Sequence, residues 1–108
     1  MKELPLNQII YGDCVEVMKE FPNGCIDLTI TSPPYNLGND HHTGSRRFRV
    51  YDDCMPEIKY QKEQIKVLDE LYRITKNEGS LFYNHKNRIK KGLSISPYDW
   101  ISKTDWLL

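Results

Sequence analysis

The chain is 108 residues long, with 39% hydrophobic and 11% aromatic residues, enough for one compact domain with a modest core. Lysine plus arginine and aspartate plus glutamate number 15 each, so the net charge is zero, and any signal for a polyanionic partner must be local. The longest apolar runs, such as 26–30, fall far short of the roughly 20 residues that span a bilayer, and the start Met-Lys-Glu-Leu-Pro lacks a signal peptide's apolar region, so a soluble cytoplasmic protein is expected.

Gln8-Ile9-Ile10-Tyr11 is a short β-favouring run that stops at Gly12-Asp13, after which Val15, Val17, Met18 and Phe21 suit one face of a helix. Pro22-Asn23-Gly24 breaks that helix. Residues 25–31 then read as a buried strand that ends abruptly at Ser32-Pro33-Pro34-Tyr35. From Asn36 the chain turns polar, with His41, His42, Arg46, Arg47 and Arg49 and neither helical nor strand period, which predicts a long flexible loop over 36–54. Pro56 suits the first turn of a helix, and Ile58, Ile65, Leu68, Leu71 and Tyr72 recur at helical spacing as far as about Lys76. Asn77-Glu78-Gly79 is expected to end that helix, and residues 80–84 to form a second buried strand. Beyond the basic cluster of Lys86, Arg88, Lys90 and Lys91, Ser96-Pro97 opens a short helix through Trp100, and residues 105–108 look like the start of a further strand. The alternation implies an α/β layer with a largely parallel sheet and a single unit over residues 1–108.

Cys14, Cys25 and Cys54 are odd in number and widely spaced and read as reduced thiols. Neither they nor the histidines stand at metal-ligand spacing, so no metal is expected. In open parallel sheets, ligands gather beyond the carboxyl ends of the strands, where Gly12-Asp13 and Ser32-Pro33-Pro34-Tyr35 both fall, so the two motifs are expected to face one crevice. A nucleobase's exocyclic amine is a poor nucleophile because its lone pair is delocalised into the ring. Acceptors aimed at the amine hydrogens localise that pair. The Ser32 oxygen and the Pro33 carbonyl are such acceptors, the two prolines carry no N–H and have fixed φ, and the Tyr35 ring offers a face for an extruded base. The bland alternatives are a rigid strand-ending loop, and an Asp13 that caps the following helix; capping and ligand binding can coexist.

The run Thr31-Ser32-Pro33-Pro34-Tyr35-Asn36 resembles the catalytic motif of the DNA amino-methyltransferases. Tyr11-Gly12-Asp13-Cys14, with the helix and Ile26-Asp27-Leu28 behind it, is similar to the opening of the permuted members, in which the catalytic half comes first. Residues 71–82 resemble the helix, glycine turn and strand that follow the catalytic loop in those enzymes. The resemblance implies a partial Rossmann-like, S-adenosylmethionine-dependent methyltransferase fold, incomplete at the C-terminus. It further implies that Ser32 and the Pro33 carbonyl accept from the target amine of adenine or cytosine, with Pro34 and Tyr35 completing the catalytic loop and Tyr35 stacking on the flipped base. Asp13, with Cys14 and Ser32, would line the cofactor site, and the methyl group would pass directly to the amine without a covalent enzyme intermediate. Arg46, Arg47, Arg49, Lys86 and Arg88 are candidate DNA contacts, weighed against solvated surface. Tyr60, Tyr72, Tyr83, Trp100 and Trp106 suit core packing better than base stacking, and His85 receives no catalytic role.

No Gly-x-Gly turn is present, so half of the cofactor pocket is expected to lie elsewhere, supplied by a second chain, a dimer or a downstream segment, and the chain alone is expected to be inactive and marginally stable. An inactive remnant or nucleic-acid-binding module, and an RNA or protein-amide methyltransferase fragment, are the alternatives.

Overall fold

A computed structural model describes residues 3–38 and 53–108. In chain order it contains helix α1 (Cys14–Met18), strand β1 (Ile26–Thr31), helix α2 (Glu57–Ile74), strand β2 (Thr75–Tyr83), the short strands β3 (Arg88–Lys90) and β4 (Leu93–Ile95), and helix α3 (Tyr98–Ile101). β1 and β2 pair in parallel, and α2 is the crossover that a parallel pair requires, since no tight turn can return the chain to the same end of the sheet. The result is a mixed α/β unit around a two-stranded parallel sheet, with an antiparallel β3–β4 hairpin beside it.

Several elements form where the pattern predicts them. Asp13 caps α1, its carboxylate accepting the Glu16 N–H at 3.1 Å. Pro56 precedes α2, and Pro97 precedes α3. The buried stripe of α2 differs from the predicted one: it runs through Tyr60, Gln64, Leu68, Leu71 and Ile74, while Ile58 is 73% and Tyr72 46% exposed. Gln64 enters the core because its side-chain oxygen accepts the Tyr83 hydroxyl, which satisfies both buried groups. Leu68, Tyr60, Met55, Trp100 and Ile101 form one core cluster, and Met18, Leu71 and Ile74 the other. Arg73 ties α1 to α2 by donating to the Met18 and Phe21 carbonyls at 2.7 and 2.9 Å and to Asn23 at 2.8 Å.

The end of α2 also departs from expectation. The helix stops at Ile74, and Thr75 is already extended and paired with Ile26, its hydroxyl donating back to the Leu71 carbonyl. The register then jumps to Leu28 against Ser80, so residues 76–79, which include the expected Asn-Glu-Gly terminator, are extruded as a bulge within β2. Gly79 is required there: a Cβ would lie 2.9 Å from the Asp27 carbonyl oxygen, 3.1 Å from that of Ile26 and 2.4 Å from Thr75 Cγ2.

Among the described residues, neither 8–11 nor 105–108 forms a strand. β1 and β2 are buried on one face only, with Ile26, Leu81 and Tyr83 inward and Leu28, Ile30 and Phe82 on the open face. No helix among these residues is long and apolar enough to cross a membrane.

Candidate active site

Thr31 and Tyr83 are the last paired residues of the parallel sheet, so Ser32 and Asn84 leave the two strands side by side, with the Asn84 N–H on the Thr31 carbonyl at 2.8 Å. Their side chains meet. Ser32 Oγ lies 2.8 Å from Tyr35 Oη, and the Asn84 amide donates to both, at 3.3 Å to Ser32 and 3.1 Å to Tyr35. Ser32 and Asn84 are exposed, and Pro33, Pro34 and Tyr35 are half-buried, so the cluster faces outward from the carboxyl ends of β1 and β2.

The loop is held from beneath. Tyr60, fully buried on α2, donates its hydroxyl to the Pro34 carbonyl at 2.5 Å and lies 2.7 Å from His85 Nε2. The His85 ring sits 4.7 Å from Tyr35, 5.9 Å from a stacked Tyr83 and 4.9 Å from the edge-on Trp100, and its Nδ1 donates to the Lys86 carbonyl at 2.8 Å. Burial of the ring, with the positive charge of Arg88 added, outweighs the Lys86 hydrogen bond and the Glu57 charge and lowers the His85 pKa below the usual histidine value.

The exit of the loop is clamped as firmly. Asn36, 1% exposed and in the left-handed conformation (φ 58°), donates its side-chain amide to the Met55 carbonyl and accepts the Met55 N–H, both at 2.8 Å. Asp53, also buried, accepts the Asn36 N–H at 3.0 Å and the Leu37 N–H at 3.4 Å. Residues 36–37 and 53–55 are thereby joined at a neck directly behind Tyr35.

The other expected site residues are dispersed. Arg46, Arg47 and Arg49 lie outside the described residues. Lys86 is exposed next to His85. Arg88 corrects the expectation of a DNA contact: it is 4% exposed, both Nη atoms are 2.8 Å from the Glu57 carboxylate, and the guanidinium stands over the Tyr60 ring at 4.9 Å. A guanidinium so enclosed has no face left for a phosphate. Asp13 caps α1 and lines a groove between α1 and α2 with Glu63, Lys66 and Glu70, a groove that includes none of residues 32–35; no hydrogen bond among the described residues joins the two motifs into the single expected crevice. Cys14 is the exposed first residue of α1. Among the described residues, no group of three or more histidine, cysteine or acidic side chains could hold a metal ion.

The sequence profile of the DNA methylase family, the N6/N4 methyltransferases, matches residues 26–108, which begin at β1 and include the whole of this cluster. The chain belongs to the DNA methylase family. It is 32% identical to the type II methyltransferase M.BglII of Bacillus subtilis over 72% of the chain and 19% of that protein. It is 33% identical to M.HpaI of Haemophilus parainfluenzae over 69% of the chain and 22% of the relative, and 34% identical to M.HinfI of Haemophilus influenzae over 71% and 23%. The chain thus spans about a fifth of the length of these relatives.

Asn84, Tyr60, His85 and Asn36 are absent from the sequence-based site. For Asn84 a signal was present: in parallel pairing, the residue that ends the second strand stands beside the motif that ends the first. Tyr60 and His85 carry no such signal, because their partners are remote in sequence.

Proposed function

We propose that this chain is the base-binding part of a type II DNA amino-methyltransferase of partial Rossmann-like fold, acting on the exocyclic amine of adenine or cytosine in a restriction-modification setting. The observation that carries the reading is the Ser32–Tyr35–Asn84 cluster at the shared carboxyl ends of β1 and β2.

A serine hydroxyl has one hydrogen and two lone pairs. With the Asn84 amide on one lone pair and the Ser32 hydrogen turned to Tyr35 Oη, one lone pair is left for an amine hydrogen. The Pro33 carbonyl would supply a second acceptor. Two acceptors on one amine draw its nitrogen lone pair out of conjugation, and held in place beforehand they reorganise little as the reaction proceeds. Extruding a base costs a few kcal/mol, and stacking on Tyr35, worth roughly 1–3 kcal/mol, offsets much of it.

S-adenosylmethionine, when bound, supplies an electrophilic methyl group on a sulfonium. Of the residues expected to hold it, Asp13 fits best: one carboxylate oxygen takes the Glu16 N–H, which leaves the other as an acceptor for a ribose hydroxyl or amine. Cys14 and Ser32 would add contacts. Since the chain spans about a fifth of its relatives, the remaining contacts would come from a further segment or a second chain.

Expression of the natural gene in a host with no DNA methylation of its own, followed by nucleoside mass spectrometry, tests the reading. N6-methyldeoxyadenosine or N4-methyldeoxycytidine is expected, reduced about 10- to 100-fold by Tyr35→Ala through loss of stacking. No methylated base in DNA, or equal amounts with Tyr35→Ala, overturns it; methylated RNA in their place moves the substrate to RNA.

A further inference from the structure

The hydrogen bonds beneath the Ser-Pro-Pro-Tyr loop cannot all be made with a neutral histidine. The Pro34 and Lys86 carbonyls are acceptors only, so the first requires the Tyr60 hydrogen and the second a hydrogen on His85 Nδ1. Tyr60 Oη has then no hydrogen left for His85 Nε2, 2.7 Å away, and can only accept from it. All three bonds together demand N–H groups on both ring nitrogens. A neutral ring with its hydrogen on Nε2 would keep Tyr60 on Pro34 but set the Nδ1 lone pair against the Lys86 carbonyl, 2.8 Å away. That carbonyl, which can only accept, selects the form with its hydrogen on Nδ1, in which the Nε2 lone pair competes with the Pro34 carbonyl for the single Tyr60 hydrogen.

The Pro34 carbonyl belongs to the peptide that leads directly into Tyr35. Neither Pro33 nor Pro34 has an N–H to anchor the loop from its other side, so this carbonyl is a principal restraint on the orientation of Tyr35. The Tyr35 ring itself lies against His85. Tyr60 is rigidly placed: it is fully buried, packed edge-on to Trp100, and covered by the Arg88 guanidinium.

We infer that Tyr60 and His85 are positioning residues for the Ser-Pro-Pro-Tyr loop: a proton on His85 commits the Tyr60 hydroxyl to the Pro34 carbonyl, and loss of that proton lets the hydroxyl turn away and releases the loop. The inference rests on the reading of that loop as the base-binding element, and it adds a restraint that the loop sequence does not contain.

The groups facing His85 set where the exchange occurs. They are the phenols of Tyr35 in the loop, Tyr60 on α2 and Tyr83 on β2, the Arg88 guanidinium on β3 with its Glu57 partner on α2, the neighbouring Lys86, and the uncharged Trp100 on α3. Burial and Arg88 disfavour the charged ring, so the loop is released as pH rises through a midpoint that lies below the ordinary histidine value.

The test is a pH titration of the isotopically labelled chain by NMR between about pH 5 and 8, following the His85 ring nitrogens, the Pro34 carbonyl carbon and the Tyr35 amide nitrogen. In the wild type all three are expected to move with one midpoint. In Tyr60→Phe, which keeps the buried ring, His85 still titrates but the Pro34 carbonyl no longer follows; in His85→Phe the Pro34 signal is flat. A merely structural Tyr60 would not uncouple the two. A Pro34 carbonyl that stays still while His85 titrates in the wild type overturns the inference, as does a response that survives both substitutions. Because the readout is independent of methyl transfer, a linked titration in a protein that leaves no methylated base would sink the proposed function and leave this restraint standing.

Discussion

Replacing Glu57 by Gln keeps the shape of the side chain and removes its charge from beneath Arg88. The Arg88 side chain is 3% exposed; each Nη atom is 2.8 Å from a Glu57 oxygen, while Nε has no partner among the described residues. Stripped of its counter-charge, the guanidinium would keep one neutral acceptor at position 57 and the Tyr60 and Trp100 rings, at 4.9 and 5.5 Å, against the like charge of Lys90 nearby. Removing one partner of a buried pair costs about 3–5 kcal/mol. Glu57 is 23% exposed and glutamine retains one acceptor, so the lower end applies, about 3 kcal/mol, or a fall in Tm of roughly 12 °C. Urea unfolding, with the fully buried Trp100 as a fluorescent reporter, measures it. A loss below about 0.5 kcal/mol, the range of an exposed pair, would refute the reasoning. The double variant Glu57→Leu with Arg88→Met should recover most of the loss, because apolar replacement of a whole buried pair is often neutral. The pH dependence has a definite sign. Burial pushes the Glu57 carboxyl up, but the Arg88 and Gln61 hydrogen bonds and the charges of Arg88 and Lys90 together outweigh it and hold it below its ordinary value. Stability from this pair is therefore complete above about pH 4.3 and is lost as pH falls through the lowered value, a component of acid unfolding that Glu57→Gln should lack.

Gly79→Ala should destabilise the chain by about 1–3 kcal/mol in the same unfolding assay, since its Cβ would press on two β1 carbonyl oxygens that cannot move without parting the strands. Arg73→Met should raise the hydrogen-exchange rates of α1 amides by about tenfold or more while those of β2 stay protected, because Arg73 bridges the chain after α1 to α2. Asn84→Ala removes an exposed side chain and should change stability by no more than about 0.5 kcal/mol, yet lower DNA methylation by about tenfold in nucleoside mass spectrometry, because Ser32 Oγ and Tyr35 Oη lose the shared donor that holds them in place.

The positions of β1, α2 and α3 were legible because each joins a periodic apolar pattern to a turn or cap residue: Pro-Asn-Gly before β1, Pro56 before α2, Ser96-Pro97 before α3. Local pattern failed where a neighbour decides the outcome. Residues 8–11 favour β structure, but a strand needs a partner, and Ile9 is fully exposed. The apolar Ile58 and Tyr72 fit the inner face of α2 by spacing and Gln64 does not, since a hydropathy pattern cannot reveal that a buried amide will meet a tyrosine hydroxyl. The β3–β4 turn has positive φ at both Lys91 and Gly92, and lysine at the first position hides a turn that asparagine would have announced. In the site, Ser32 to Tyr35 was readable as a motif on a strand end. Arg88 was misread because one basic residue within a basic cluster gives no sign that its carboxylate lies 31 positions earlier.

The neck formed by Asn36 with Asp53 and Met55 separates two tasks that share one connection. Its hydrogen bonds fix the chain's departure from Tyr35 and its arrival at α2 independently of what is spelled between them. Closure entropy rises only about 0.6 kcal/mol for each doubling of a flexible connection. The sequence joining the two sides of the neck can therefore change in length or composition at small cost to the placement of Tyr35 against α2.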